Sequence, residues 1–213
     1  IPHAVDDTLE PISKARARKR LKIASHEYVV MFFGFVNWFK GADIFAKTFR
    51  DIQHLAGRKV HFLIAGGQSA TLKDKEFYQA YFENVLRYVK RSKNMKITGY
   101  VPQKNIRDYF AAADLIVFPY RDFMCASGVL SLTFTFKKPF ILSHELGSML
   151  SSPDFKEALE NAGIEKSDMT FSLTEKSMIS TAENVLKNGL KRKLSYVSLQ
   201  MKEKRAFYQN ARF

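Results

Sequence analysis

The sequence is short of several things, and each shortage excludes something. It holds one cysteine in 213 residues, Cys125, so no internal disulfide can form, and a reducing compartment with the cytoplasm as default is expected. No apolar run approaches the roughly 20 residues needed to span a bilayer, and no charged-then-apolar leader opens the chain, so a soluble protein is expected. The five histidines are scattered, and neither an Asp-x-Asp pair nor a His/Cys ligand cluster occurs, so no metal site is expected. Acidic residues are scarce too. Lys and Arg number 34 against 21 Asp and Glu, a formal net charge of +13. Such a surface attracts anions, whether nucleotides, nucleic acid or acidic lipid headgroups, and charge alone does not choose among them. The basic residues concentrate at Lys14, Arg16, Arg18, Lys19 and Arg20, and again from Lys187 through Lys191, Arg192 and Lys193 to Arg205 and Arg212. By default such runs are solvated helix faces.

What is plentiful is apolar material, 46% of the chain, enough for one well-buried core with little room for a second. Runs of strand character alternate with stretches of helical period, the pattern of a parallel sheet with crossover helices. The expected strands are residues 28–36, 60–65, 95–98, 115–119, 140–143 and 169–172; the expected helices are 42–55, 74–91, 103–112, 129–136, 153–162 and 175–186. Leu115-Ile116-Val117-Phe118 is apolar throughout, as suits a strand covered on both faces. The fold class is therefore α/β, a Rossmann-like parallel sheet with helices on both faces. Residues 1–27 read as a linker and basic lead-in helix, 28–190 as the α/β domain and 191–213 as a basic C-terminal helix.

In open α/β sheets ligands bind beyond the carboxyl ends of the strands. Three loops stand there. Gly34 to Gly41 leaves the first strand. Its glycines allow close backbone approach and a tight entry to the helix, and Lys40 sets a cation beside the helix start, a phosphate site in outline or simply a tight turn. Gly66-Gly67 follows the second strand, where adjacent glycines let amides face an anion or merely turn the chain. No P-loop or three-glycine dinucleotide fingerprint is present. The third loop runs from Pro119 to Val129. Ser127 is a good N-cap, and the amides of Gly128 and Val129 would point out of the helix start toward an anion.

Taken in order, these segments resemble the C-terminal domain of GT-B glycosyltransferases of the retaining family-four group. The resemblance rests on Phe33-Gly34-Phe35 with Lys40-Gly41, on Phe62-Leu63-Ile64-Ala65-Gly66-Gly67, and on Ile97-Thr98-Gly99-Tyr100-Val101-Pro102. It rests most of all on the run from Ala113 to Tyr120, with Ser127-Gly128-Val129 and Lys138-Pro139-Phe140-Ile141 after it. It implies a domain that binds a UDP- or GDP-sugar and takes part in hexose transfer to a glycan or lipid-linked acceptor. Lys40 and the amides of Ser127, Gly128 and Val129 then stabilise the leaving diphosphate in place of a metal ion, so no cofactor is expected. Gly34, Phe35, Gly66 and Gly67 line the donor side; Tyr100, Val101 and Pro102 line the base pocket; Tyr120 and Asp122 lie toward the sugar.

The same resemblance reads Ile1 to Asp6 as the segment leaving an N-terminal acceptor domain, which this chain then lacks. Three positions depart from the family. Phe35 stands where an arginine is common, and Met124 and Leu132 stand where many members carry two glutamates. These departures motivate a second reading, a transferase-like binding module without catalysis. A nucleic-acid-binding protein is a further alternative, which the placement of most aromatics in strands and apolar helix faces disfavours, so no nucleic acid partner is expected. The basic tail could rest on an anionic membrane face or pack on the missing domain.

Overall fold

The computed structural model describes residues 12–122, 127–187 and 189–206, so the expectations about Ile1 to Asp6, Met124, Cys125 and Arg212 lie outside the described residues. Among them run, in order, α1 (Lys14–Leu21), β1 (Tyr28–Phe33), α2 (Ala42–Phe49), β2 (His54–Leu55), β3 (Arg58–Ala65), α3 (Glu76–Arg91), β4 (Met95–Ile97), α4 (Gln103–Ala112), β5 (Leu115–Phe118), α5 (Gly128–Thr135), β6 (Phe140–Ser143), α6 (Pro153–Ala162), β7 (Thr170–Phe171), α7 (Glu175–Lys187) and α8 (Leu190–Lys204).

The parallel strands lie in the order β4-β3-β1-β5-β6-β7, and β2 is added antiparallel to the start of β3. The fold is a Rossmann-like sheet, in which the strand order reverses between β1 and β5 and a crevice opens at their carboxyl ends. β5 is buried along its whole length, as its apolar run requires. On one side Phe49 of α2 stacks on Phe62 and Phe45 packs tilted against Phe32; on the other Phe134, Phe140 and Phe155 meet edge to face. The phenylalanines are largely core residues.

Two elements differ from the sequence expectation. The helix after the first loop stops at Phe49, because Ala56 (φ 51°) and Gly57 (φ 77°) make a two-residue turn that folds His54–Leu55 back onto β3. β1 stops at Phe33, because Gly34 at φ 114° swings the chain out of the strand.

The basic ends are not plain solvated faces. α1 lies along α4 through Ala17, Ala111 and Ala112, and α8 buries Leu194, Val197 and Met201 in the main core. Their charges converge on Asp114, at the amino edge of the sheet and 2% exposed. Arg18 and Lys191 each reach its carboxylate at 2.5 Å, Lys14 joins them, and Val29 donates its N–H at 2.9 Å. Burial alone would raise this carboxyl's pKa, but the Lys191 and Lys14 ammoniums outweigh burial and bring it down to about 2. Among the described residues, no helix is long and apolar enough to cross a membrane.

Candidate donor site at the carboxyl edge

The loops that follow β1, β3 and β4 are packed backbone on backbone. A β-carbon on Gly66 would stand 1.8 Å from the Gly34 carbonyl oxygen, and one on Gly67 would stand 2.7 Å from the Tyr100 nitrogen. The glycine pair therefore serves close approach of neighbouring loops. The Gly66 N–H is taken up by Thr98 Oγ1 at 3.1 Å, so it does not face the crevice as a free donor. Gly41, at φ 69°, opens α2, and a β-carbon there would stand 1.9 Å from the Pro119 carbonyl oxygen. The loops after β1 and β5, the two strands flanking the reversal, are thus in direct contact.

Lys40 and the start of α5 meet in the crevice between them. The Lys40 ammonium lies 3.2 Å from the position a Gly34 β-carbon would occupy, and Val129 Cγ2 lies 3.4 Å from the same point. One small volume therefore gathers the glycine of the first loop, its lysine and the first turn of α5. Lys40 has no carboxylate partner among the described residues, and burial lowers its pKa. A partly desolvated, uncompensated cation beside a helix start favours an anion, because the first N–H groups of a helix have no intrahelical partner and carry its positive pole. Ser127 caps α5, its hydroxyl accepting from the Leu130 N–H at 3.3 Å. In front of Gly128 the space is open, since a β-carbon there would meet nothing within 4 Å.

A polar frame that sequence reasoning missed holds this loop in place. The Tyr78 hydroxyl donates to the Val36 carbonyl and accepts from the Ser69 N–H, both at 2.7 Å. The Tyr81 hydroxyl lies 2.9 Å from the Asn37 carbonyl and 3.0 Å from Asp43 Oδ1; burial, and then Asp43, drive its pKa far up. Asn37 Oδ1 accepts from the Lys40 N–H at 3.3 Å. Arg121 grips both oxygens of Asp43, at 2.8 and 2.6 Å, and its backbone N–H donates to the Phe39 carbonyl at 2.8 Å. Tyr78 and Tyr81 fall on a face of α3 whose period reads simply as core, so nothing in their spacing marked the hydroxyls. Arg121 was visible in the third loop, but its partner lies 78 residues away.

The remaining site residues divide. On the β4 side, Tyr100 is 70% exposed and Val101 is buried, with Pro102 capping α4. Tyr120 is only 1% exposed and packs edge-on against Phe118, so its ring offers the crevice no surface. Its hydroxyl lies beside Ser127 without the geometry of a hydrogen bond, and burial pushes its pKa up to about 12. Phe35 is 41% exposed. Leu132 packs against the core. Asp122 is exposed at the rim. Among the described residues, no group of three or more His, Cys, Asp or Glu is gathered as metal ligands.

The sequence profile of the family described as "Glycosyl transferases group 1" matches residues 27–151. No curated protein sequence matches the chain. Among solved structures, the chain is similar to sucrose-phosphate synthase from Thermosynechococcus elongatus, with a TM-score of 0.72 and 16% identity over 98% of this chain and 48% of that one. It is similar to HepE of Anabaena in complex with UDP and glucose, with a TM-score of 0.70 and 15% identity over 95% of this chain and 51% of that one. It is also similar to the C-terminal domain of the group 1 family protein LpcC from Francisella tularensis, with a TM-score of 0.60 and 13% identity over 93% of this chain and 95% of that one. At such identities the likeness is one of fold. The chain spans about half the length of the first two.

Proposed function

As a member of the glycosyl transferases group 1 family with the fold of a GT-B C-terminal domain, this chain is one for which we propose the role of donor-binding domain. The donor is a UDP- or GDP-hexose, and the acceptor a glycan or lipid-linked sugar. The observation that carries this reading is the convergence of Gly34, Lys40 and Val129 within one volume at the point of strand reversal. The pyrophosphate rests between the Lys40 ammonium and the amides of Gly128 and Val129. These stabilise the negative charge that develops on the leaving diphosphate, so no metal ion is required. Tyr100, Val101 and Pro102 line the base pocket, one strand beyond β3. An anion at Lys40 also compensates for the burial that lowers its pKa, so donor binding at alkaline pH takes up protons.

In this reading the acceptor is supplied by a second, N-terminal domain, transfer retains the anomeric configuration, and the protein works at the cytoplasmic face of a membrane. HepE, solved with UDP and glucose, supports the choice of donor class. Isothermal titration with UDP, GDP and ADP in EDTA tests it. Micromolar to millimolar binding of one of them is expected, weakened about 10–100-fold in Lys40→Ala, the value of a charged hydrogen bond. An affinity unchanged in the variant would remove the lysine from the site. A second reading, a binding module without catalysis, is favoured by Leu132, whose packing against the core leaves no polar group for a donor hydroxyl. Sugar transfer or donor hydrolysis by the full-length protein, with its second domain present, separates the two.

A further inference from the structure

The first loop carries a feature that donor binding leaves unused. Trp38, the sole tryptophan of the chain, is 61% exposed although it stands two residues before Lys40, between the buried Asn37 and the half-buried Phe39. An exposed indole is ordinarily free to change rotamer, but this one is held. The Arg121 guanidinium lies 4.8 Å from the ring centroid, a cation-π contact covering one face. Arg121 is itself fixed by both Asp43 oxygens and by the Trp38 carbonyl, and Asp43 is tied in turn to Tyr81. The pair is well shielded, Arg121 and Asp43 being 18% and 17% exposed in their side chains. A network of this kind orders the indole plane before any ligand arrives, which removes part of the entropy cost of binding to it.

We infer that Trp38 is a stacking platform for a pyranose ring, and so a specificity-determining residue for the sugar substrate. Two observations choose a sugar over a nucleobase. The base pocket proposed above follows β4, whereas Trp38 sits in the loop between β1 and α2 and is clamped from the β5 side, where the diphosphate and sugar end of a donor would lie. A pyranose also presents one face of C–H bonds rimmed by hydroxyls, and an indole offers a broad apolar face with a polar N–H at its edge, so the two match in character. The inference rests on the donor reading for the direction in which the substrate lies. The ring stacked on Trp38 belongs either to the nucleotide-sugar or to the acceptor.

Because there is no other tryptophan, the fluorescence of the wild-type chain reports on this indole alone. The test titrates it with maltose and cellobiose, with UDP-glucose and GDP-mannose, with UDP and GDP, and with uridine. Saturation-transfer NMR on the same sugars is compared for wild type, Trp38→Phe and Trp38→Ala. A change of emission with a disaccharide, with sugar signals about tenfold weaker in Trp38→Ala and partly restored in Trp38→Phe, supports stacking of an acceptor ring. A change with a nucleotide-sugar but not with UDP, GDP or a disaccharide supports stacking of the donor's sugar. No response to any sugar, or a response to uridine equal to that to the nucleotide-sugars, overturns the proposal. Titration calorimetry of UDP and GDP on the wild-type chain runs beside it. Nucleotide binding without any indole response sinks the platform and leaves the donor reading standing, while sugar stacking without nucleotide binding does the reverse.

Discussion

The two edges of the sheet treat positive charge in opposite ways. At the amino edge Lys14, Arg18 and Lys191, from the first and last helices, close on the one carboxylate of Asp114 within salt-bridge distance. At the carboxyl edge Lys40 is buried enough for its pKa to fall and has no carboxylate partner among the described residues. The first arrangement ties terminal helices to the core. In the proposed reading the second keeps a cation ready for an anion from outside.

The largest effect expected from breaking this contrast is at the amino edge. Asp114→Asn leaves Arg18, 3% exposed, without its counter-charge and is expected to cost about 3–5 kcal/mol in urea unfolding. The acid limb sharpens the point. The folded carboxyl is depressed to about 2, and an unfolded aspartate titrates near 3.9. Its contribution is therefore present in full above pH ~4 and is lost as pH falls toward ~2. The mutant should lack that part of the acid transition.

At the other edge, Lys40→Ala should weaken nucleotide binding by about 1.5–3 kcal/mol while changing unfolding stability by less than about 0.5 kcal/mol. A large loss of stability would show that the lysine belongs with the paired set. Gly66→Ala is expected to cost about 1–3 kcal/mol, because its β-carbon must displace the Gly34 carbonyl. Gly128→Ala meets no atom within 4 Å and should cost less than about 0.5 kcal/mol, yet still weaken nucleotide binding by crowding the start of α5.

The last effect is an alkaline one. Burial above all lowers the Lys138 pKa to about 8, below its ordinary 10.5, so the folded state releases this proton first. Stability should then rise gently between those values, and Lys138→Met should flatten the slope in urea unfolding followed against pH.

Part of the crevice's lining was legible in the sequence. Gly34, Lys40 and Ser127 were singled out because glycine at a strand end, a lysine at a helix start and a serine N-cap each have a local physical meaning. The use of Gly66 and Gly67 was legible only as backbone freedom; that the freedom admits the Gly34 and Tyr100 loops depends on which strands neighbour β3. Tyr120 shows the reverse error. Its place after β5 pointed to the crevice, whereas its ring turned into the core beside Phe118. The basic run at Lys14 to Arg20 read as a solvated face because its partner, Asp114, is remote in sequence.

By itself, the sequence determined the alternation of buried strands and amphipathic helices, the glycines at strand ends and the cap of α5, since periodicity, backbone sterics and end-capping act over a few residues. Only the tertiary structure decided that the strand order reverses between β1 and β5, that Lys40 meets Val129 there, that Arg121 locks Trp38, and that Asp114 gathers three distant cations. Those outcomes depend on which surfaces pack together, and packing joins positions that the chain keeps far apart.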